Sequence, residues 1–412
     1  MAKLALKGGN KVLPNGYGVT WPIYDNTDEE ALLAVYRSGN WWRGGTIEAQ
    51  ANSACGRFEK NFAAFHGAGH ALAVSNGTVA LELVLRAAGI GPGDEVIVPA
   101  VSFVVTASMA LTVGAWPIFV DIDPETYQID ASKIEAVITT RTKAVCLVHF
   151  GGYPADLDRI TAICEKHNLI LIEDAAHSVG SEWRGKGLGA WGNYGTFSFQ
   201  QFKSLTSGEG GIVLARSFEE WKAIYRYHNL GRRETEGFYD FYELASNYRL
   251  TDLQGALLNS QFVKFPAQMK RRMAAADRLR TGLEQVPGVR PLPADSRITR
   301  RGYYYFLMHY DPREFRGLPR DKFLEAMAAE GVSGLGRAYG KPIHKYPLFQ
   351  ELKAPAEHKF SQYAKDSFPV AEHVMANELL SLHHPALLAE DAVIDKIVEA
   401  MLKIRENADE LL

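Results

Sequence analysis

The stretch LILIEDAAHSVG (169–180) decides the fold. Four apolar residues run into two carboxylates, Glu173 and Asp174, and then into small residues. So short and apolar a run reads as a strand covered on both faces, as in a parallel sheet. A carboxylate at the end of such a strand is costly unless a cation or hydrogen-bond donors meet it. Asp174 therefore reads either as a helix N-cap, which Asp suits, or as a carboxylate aimed at a protonated ring nitrogen.

Working outward, similar runs stand at 71–75, 95–99, 117–122, 144–150, 195–199 and 211–215, with helix-like segments such as TVALELVLRAAG and DLDRITAICEKHN between the earlier ones. Such alternation predicts right-handed crossovers and a mostly parallel α/β sheet sandwiched by helices, whose ligand binds beyond the carboxyl ends of the strands. After Gly231 the pattern changes. A long amphipathic helix, interrupted near Pro266, leads to an alternating strand at 303–311, the helix RDKFLEAMAAEG and a terminal helix from about Asp391. The expected organisation is an N-terminal arm and loop over 1–50, a large α/β domain over 51–265 and a smaller α+β domain over 266–412.

Bulk properties narrow the class. A chain of 412 residues holds two or three domains' worth of core. Its net charge of −3, with basic residues scattered among acids, gives no footprint for nucleic acid. Cys55, Cys146 and Cys164 form no C-x-x-C pair, which argues against a disulfide or zinc framework and for a reducing, cytoplasmic setting. The segment 96–120 carries no charge and is long enough for a bilayer, but Pro99, Gly114 and Pro117 punctuate it. Strand, buried helix over about 102–113 and strand is the better reading, with no membrane insertion. GLGAWG (187–192) matches a dinucleotide fingerprint only in letters, because it leads into a strand rather than opening a helix. His383 and His384 have no carboxylate or cysteine at ligand spacing, so no metal is expected.

The chemistry centres on FSFQQFKSLTSGEGG (197–211), where Lys203 follows a strand and precedes glycine-rich backbone. Enzymes built on pyridoxal 5'-phosphate need a Schiff-base lysine and an acidic partner for the ring nitrogen. VSNGTVALELVL supplies strand, turn and helix start, where backbone N–H groups bind phosphate. Phe103 offers a stacking face, and Ser198 and Ser204 offer hydroxyls. Each has a plain structural reading too: turn and cap for Ser-Asn-Gly-Thr, core aromatic for Phe103.

Together SNGTVAL, EVIVPAVSFVVTA, IFVDIDPETYQID, VHFGGYPADLD, LIEDAAHSVG through FKSLTSGEGG, and SNYRLTDLQGALL resemble the DegT/StrS-type sugar aminotransferases, fold-type I pyridoxal phosphate enzymes, over nearly the whole chain. The resemblance implies that Lys203 bonds the cofactor aldehyde and then moves the proton, and that Asp174 pairs with the ring nitrogen. It places His177 near the phenolic oxygen, Phe103 on the ring, and Gly77, Thr78 and Ser198 around the phosphate. Asn247 would reach the phosphate of a neighbouring subunit, which implies a homodimer with shared active sites. WPIYD (21–25), SGNWWRGG (38–45), PIHKYPLF (342–349) and LHHPALLAE (382–390) are similar to glutamine:scyllo-inosose aminotransferases and, in part, to aminohydroxybenzoate synthases. On that basis Trp42, Arg43 and His344 are substrate-side candidates, although Trp42 could simply pack and His344 could be a satisfied loop histidine. The expected reaction moves an amino group from L-glutamine or L-glutamate to a keto-cyclitol or keto-sugar. A nucleotide-linked keto-sugar acceptor, an aromatising lyase and a non-catalytic protein of the same fold are the rival readings.

Overall fold

The computed structural model describes residues 2–352, 363, 365 and 367–412. Seven strands form the main sheet: β1 (His70–Val74), β2 (Glu95–Pro99), β3 (Trp116–Val120), β4 (Thr142–Val148), β5 (Ile170–Asp174), β6 (Tyr194–Ser198) and β7 (Gly211–Ala215). Their spatial order is β1-β7-β6-β5-β4-β2-β3. All neighbours are parallel except β7, which runs antiparallel between β1 and β6. Val74, Asp174 and Ser198 therefore end their strands at one edge of the sheet, with Gly211 starting β7 between Val74 and Ser198.

Both sheet faces are buried, which explains the unbroken apolar runs. One face packs Leu72, Val96, Ile172 and Val213 against helix α1 (Gly77–Ala87) and its neighbours. Another layer packs Ile97, Val145, Leu147 and Leu171 against α2 (Leu157–His167), which Asp156 caps and Asn168 ends in the left-handed conformation. The uncharged segment expected as strand, helix and strand is so folded, with its helix shorter, at Val105–Thr112. Among the described residues no helix is long and apolar enough to cross a membrane.

The long helix α3 (Asp252–Leu283) opens with a Thr251–Gln254 capping box and runs through Pro266 without the expected interruption. Proline removes one backbone hydrogen bond, but Phe265 and Met269, on either side of it, are buried in one cluster that holds the helix together. The expected domain boundary at 265 falls inside this helix. Beyond it lies a four-stranded antiparallel sheet, in order β8 (Val289–Pro291), β9 (Tyr305–Tyr310), β11 (Leu379–His383) and β10 (Leu335–Gly336). The helix α4 (Asp391–Glu406) covers it through Ile394, Ile397 and Met401. The N-terminal arm is not separate from this core. Leu4 and Leu13 are buried in it, and the Glu330 carboxylate accepts the N–H groups of Ala5 and Val12.

Candidate active site

At the shared edge of the main sheet opens a cavity of about 720 Å³, lined by Gly77, Thr78, Phe103, Asp174, His177, Ser198 and Lys203 among others. Seven of the residues singled out in the sequence thus meet in one place. Its floor is local strand grammar. Side chains alternate along a strand, so Glu173 and Asp174 face opposite ways. Glu173 is fully buried and accepts hydrogen bonds from His149 Nε2 (2.9 Å) and from the N–H groups of Gly189 (2.8 Å), Trp191 and Gly192 (both 2.7 Å). Burial works to raise its pKa, but the His149 hydrogen bond and these amides outweigh it and hold the carboxyl below its ordinary value. The glycines of GLGAWG therefore cradle a carboxylate of the protein itself.

Asp174 faces the cavity. Its Oδ2 accepts from Thr106 Oγ1 at 2.7 Å, and Thr106 in turn contacts Ser102 Oγ at 2.8 Å. Burial raises the Asp174 pKa, with the Thr106 hydrogen bond and the more distant Lys203 charge only partly offsetting it. Among the described residues it has no ion pair within 4.0 Å, so it is a buried carboxylate with room for a cationic partner.

The phosphate-cup segment folds as read. Asn76 caps helix α1 by accepting the Val79 N–H at 3.0 Å, which leaves the Gly77 and Thr78 amides at the cavity wall without partners inside the helix. Gly77 is required by close approach, since a Cβ there would stand 2.7 Å from Ser198 Cβ. Ser204 is buried and stands outside the cavity lining.

Lys203 stands in the loop between β6 and β7 rather than at a strand end, because the hairpin's last ladder pair is Ser198 with Gly211. Its Nζ sits 4.6 Å from the Tyr304 ring centroid. Burial lowers its pKa from 10.5 to about 8, against the opposing pull of Asp174. His177 stacks on Tyr304 at 4.0 Å and accepts the Gly151 N–H at Nδ1. Its neutral proton therefore sits on Nε2, 3.1 Å from Tyr339 Oη. Burial and the Lys203 charge keep the ring neutral. Phe103 is half exposed (52 %) and tilts toward Tyr339, offering an open aromatic face to the cavity.

Thr106, Tyr304 and Tyr339 were not read from the sequence. Tyr304 belongs to the triple YYY at 303–305, in a stretch that reads as a strand and shares the resemblance to glutamine:scyllo-inosose aminotransferases, without marking this residue for the site. Thr106 stands in the first turn of the Val105–Thr112 helix and meets the hydroxyl of Ser102, in the bend just before it.

Four sequence candidates lie outside this cavity within the chain. Arg43 is 2 % exposed and bonds Glu59 through Nη2, while Glu59 also accepts the Ala73 N–H. Burial opposes both charges: the pairing prevails at Arg43, whose pKa is raised, whereas at Glu59 burial prevails over the Arg43 charge and pushes the carboxyl above its ordinary value. Arg43→Met is expected to cost about 3–5 kcal/mol by stranding the Glu59 charge, read as a lowered Tm that the Arg43→Met/Glu59→Met double variant largely restores. An unchanged Tm with lost acceptor turnover would return Arg43 to the substrate. His344 is fully buried, contacts Glu372 at 3.2 Å and packs against Phe368, so its surroundings are those of a core histidine. Trp42 is exposed with the Arg249 guanidinium 5.8 Å from its ring, and Asn247 is exposed beside Arg249, whose N–H it accepts.

A mostly parallel sheet carrying a buried lysine, a buried carboxylate and a helix-start anion cup at one edge defines a fold-type I pyridoxal phosphate enzyme. Residues 22–402 match the model of the DegT/DnrJ/EryC1/StrS aminotransferase family, and the chain belongs to that family. It is 37 % identical to a putative L-glutamine:3-amino-2,3-dideoxy-scyllo-inosose aminotransferase of Micromonospora echinospora, over 98 % of this chain and 97 % of that one. An L-glutamine:2-deoxy-scyllo-inosose aminotransferase of Streptoalloteichus tenebrarius is 36 % identical over 99 % of each. Among solved structures, 3-amino-5-hydroxybenzoic acid synthase superposes with a TM-score of 0.82 at 33 % identity, covering 94 % of this chain and 100 % of that one. The protein is a pyridoxal-phosphate-dependent aminotransferase.

Proposed function

We propose that this aminotransferase moves the amino group of L-glutamine, or of L-glutamate, onto a ring ketone of the keto-cyclitol class. The observation that carries the reading is the juxtaposition, in one cavity, of a lysine amine with a pKa of about 8, a buried carboxylate without a cation, and the Gly77–Thr78 amides. At pH 7 about a tenth of such an amine is free, against about one part in three thousand for an ordinary lysine. The two relatives named for scyllo-inosose substrates support the acceptor class.

The residues present fit the cofactor. Gly77, Thr78 and Ser198 would hold its phosphate where a Cβ on residue 77 would close the cup. Asp174, fixed by Thr106, would hold the proton on the ring nitrogen; Phe103 would cover one ring face, and His177 would donate from Nε2 toward the phenolic oxygen. When bound, pyridoxal phosphate supplies an aldehyde carbon to carry the amino group and a ring that takes up electrons as a proton leaves. Lys203 Nζ would take that proton from the donor's carbon and pass it to the cofactor's aldehyde carbon, and would run the same transfer in reverse to the acceptor's carbon in the second half-reaction. Asn247, exposed away from the cavity, would serve the cavity of a second copy in a homodimer. A cytoplasmic setting fits three free, buried cysteines.

The test is the visible absorption band of the loaded protein. L-glutamine is expected to bleach it and 2-deoxy-scyllo-inosose to restore it, with an aminocyclitol as product. A band unmoved by both glutamine and glutamate would overturn the reading. An aromatic product would favour the lyase chemistry that the 3-amino-5-hydroxybenzoic acid synthase likeness keeps in view.

A further inference from the structure

Three side chains from opposite ends of the chain converge on two consecutive carbonyls just before Lys203. Trp21 Nε1–H donates to the Gln201 carbonyl at 2.9 Å. His383 Nε2 and His384 Nε2 stand 3.2 and 3.0 Å from the Phe202 carbonyl. A carbonyl only accepts, so each ring carries its proton on Nε2 and donates. The three rings also brace one another. Trp21 meets His384 edge-on at 4.5 Å, and the two histidines are 4.5 Å apart. Tyr304, whose face looks at Lys203 Nζ, contacts His383 at 5.1 Å and His384 at 5.9 Å. The loop's own bonds next to Lys203, Gln201 N–H to Gly208 and Lys203 N–H to Gln200, are internal, and the Gln254 side chain ties it to α3 only further on, at the Glu209 carbonyl.

We propose that Trp21, His383 and His384 are positioning residues for Lys203, fixing the backbone from which its amine reaches the cavity. The WPIYD and LHHPALLAE stretches, singled out in the sequence only for their resemblance, here act on the lysine loop. The clamp also protects the chemistry of the amine. It keeps the side chain in the desolvated space between Tyr304 and Asp174, and both histidines remain neutral there through burial, so they add no charge beside it. A loosened loop would hydrate the amine, raise its pKa toward 10.5 and leave less of it free at neutral pH.

The inference rests on the reading of Lys203 as the cofactor-bonding lysine, and the experiment separates the two. Full-chain protein freed of cofactor is mixed with pyridoxal 5'-phosphate across neutral to alkaline pH. Capture is followed by absorbance, and borohydride reduction with peptide mass mapping locates the adduct. Wild type is expected to capture on Lys203 with a pH midpoint of about 8. Trp21→Phe, which keeps the ring but loses the N–H, and His383→Leu are each expected to slow capture at neutral pH about tenfold and to move the midpoint upward. His383→Gln, which keeps an N–H donor, is expected to restore both. Wild-type rate and midpoint in Trp21→Phe and His383→Leu would overturn the clamp, as would a lowered Tm with an unmoved midpoint. A wild-type adduct on a residue other than Lys203 would overturn the functional reading, and the clamp with it.

Discussion

Lys203→Ala is expected to lose transamination by about four orders of magnitude, the upper range for removing a positioned acid–base group that also bonds the cofactor. The loss should leave the fold intact. Lys203 makes no ion pair within 4.0 Å among the described residues, and its burial already costs its charged form free energy. Lys203→Arg should fare little better, because a guanidinium keeps its proton at any working pH. The pH profile gives an independent check. The free amine is the competent form, so its population rises with pH and is half-maximal at about 8, well below the 10.5 of an ordinary lysine. Full turnover in the alanine variant, with an unchanged circular dichroism spectrum and Tm, would sink the mechanism.

Asp174→Asn is expected to lower kcat by about a hundred- to a thousandfold, the scale seen when one preorganised electrostatic partner is removed. Asparagine has the same shape, and its carbonyl can still accept the Thr106 hydroxyl, so Tm should move little. The distinguishing feature is the change of charge alone. A neutral amide cannot hold a proton on a ring nitrogen by ion pairing, and cofactor retention should weaken alongside kcat. Glu173→Gln makes the useful contrast. There the carboxylate meets an imidazole and three amides, so the damage should fall on Tm, with a destabilisation of about 1–3 kcal/mol. An Asp174→Asn variant with wild-type kcat would remove Asp174 from the chemistry.

That contrast also shows what a sequence can and cannot disclose. The strands of the main sheet were legible because covered parallel strands have a local signature, and so were Asp174 and Gly77, at a strand and a helix terminus, and Lys203, in the glycine-rich loop after a strand. Distances across the chain were not legible. Tyr304 and Tyr339 line the cavity and Thr106 holds Asp174, each from a separate element, and the sequence around them does not show which distant group they meet. Arg43 and His344 looked like substrate ligands within their motifs, yet each is buried beside a carboxylate contributed from elsewhere in the chain. Pro266 was expected to interrupt α3, because local rules weigh one lost hydrogen bond and cannot see the shared cluster that buries Phe265 and Met269. Trp21 and His383–His384 were noticed as motifs, but their common target, the backbone before Lys203, lies some 180 residues from each.

The antiparallel strand β7 has a consequence for how the protein matures. It lies between β1 and β6, and Gly211 packs so tightly on Asn76 that a Cβ there would stand 2.5 Å from the Asn76 carbonyl carbon. The helix start that offers its amides and the loop that carries Lys203 are thus brought together only when this strand slots in, closing a loop of well over a hundred residues. Contacts of such sequence separation form slowly. Cofactor uptake should therefore be a late event in refolding, lagging the return of helical signal, and any ligand that binds only the closed state draws the equilibrium toward it by mass action. Newly made chains would be most exposed to misassembly before that insertion, and ample pyridoxal phosphate during synthesis should raise the yield of folded enzyme.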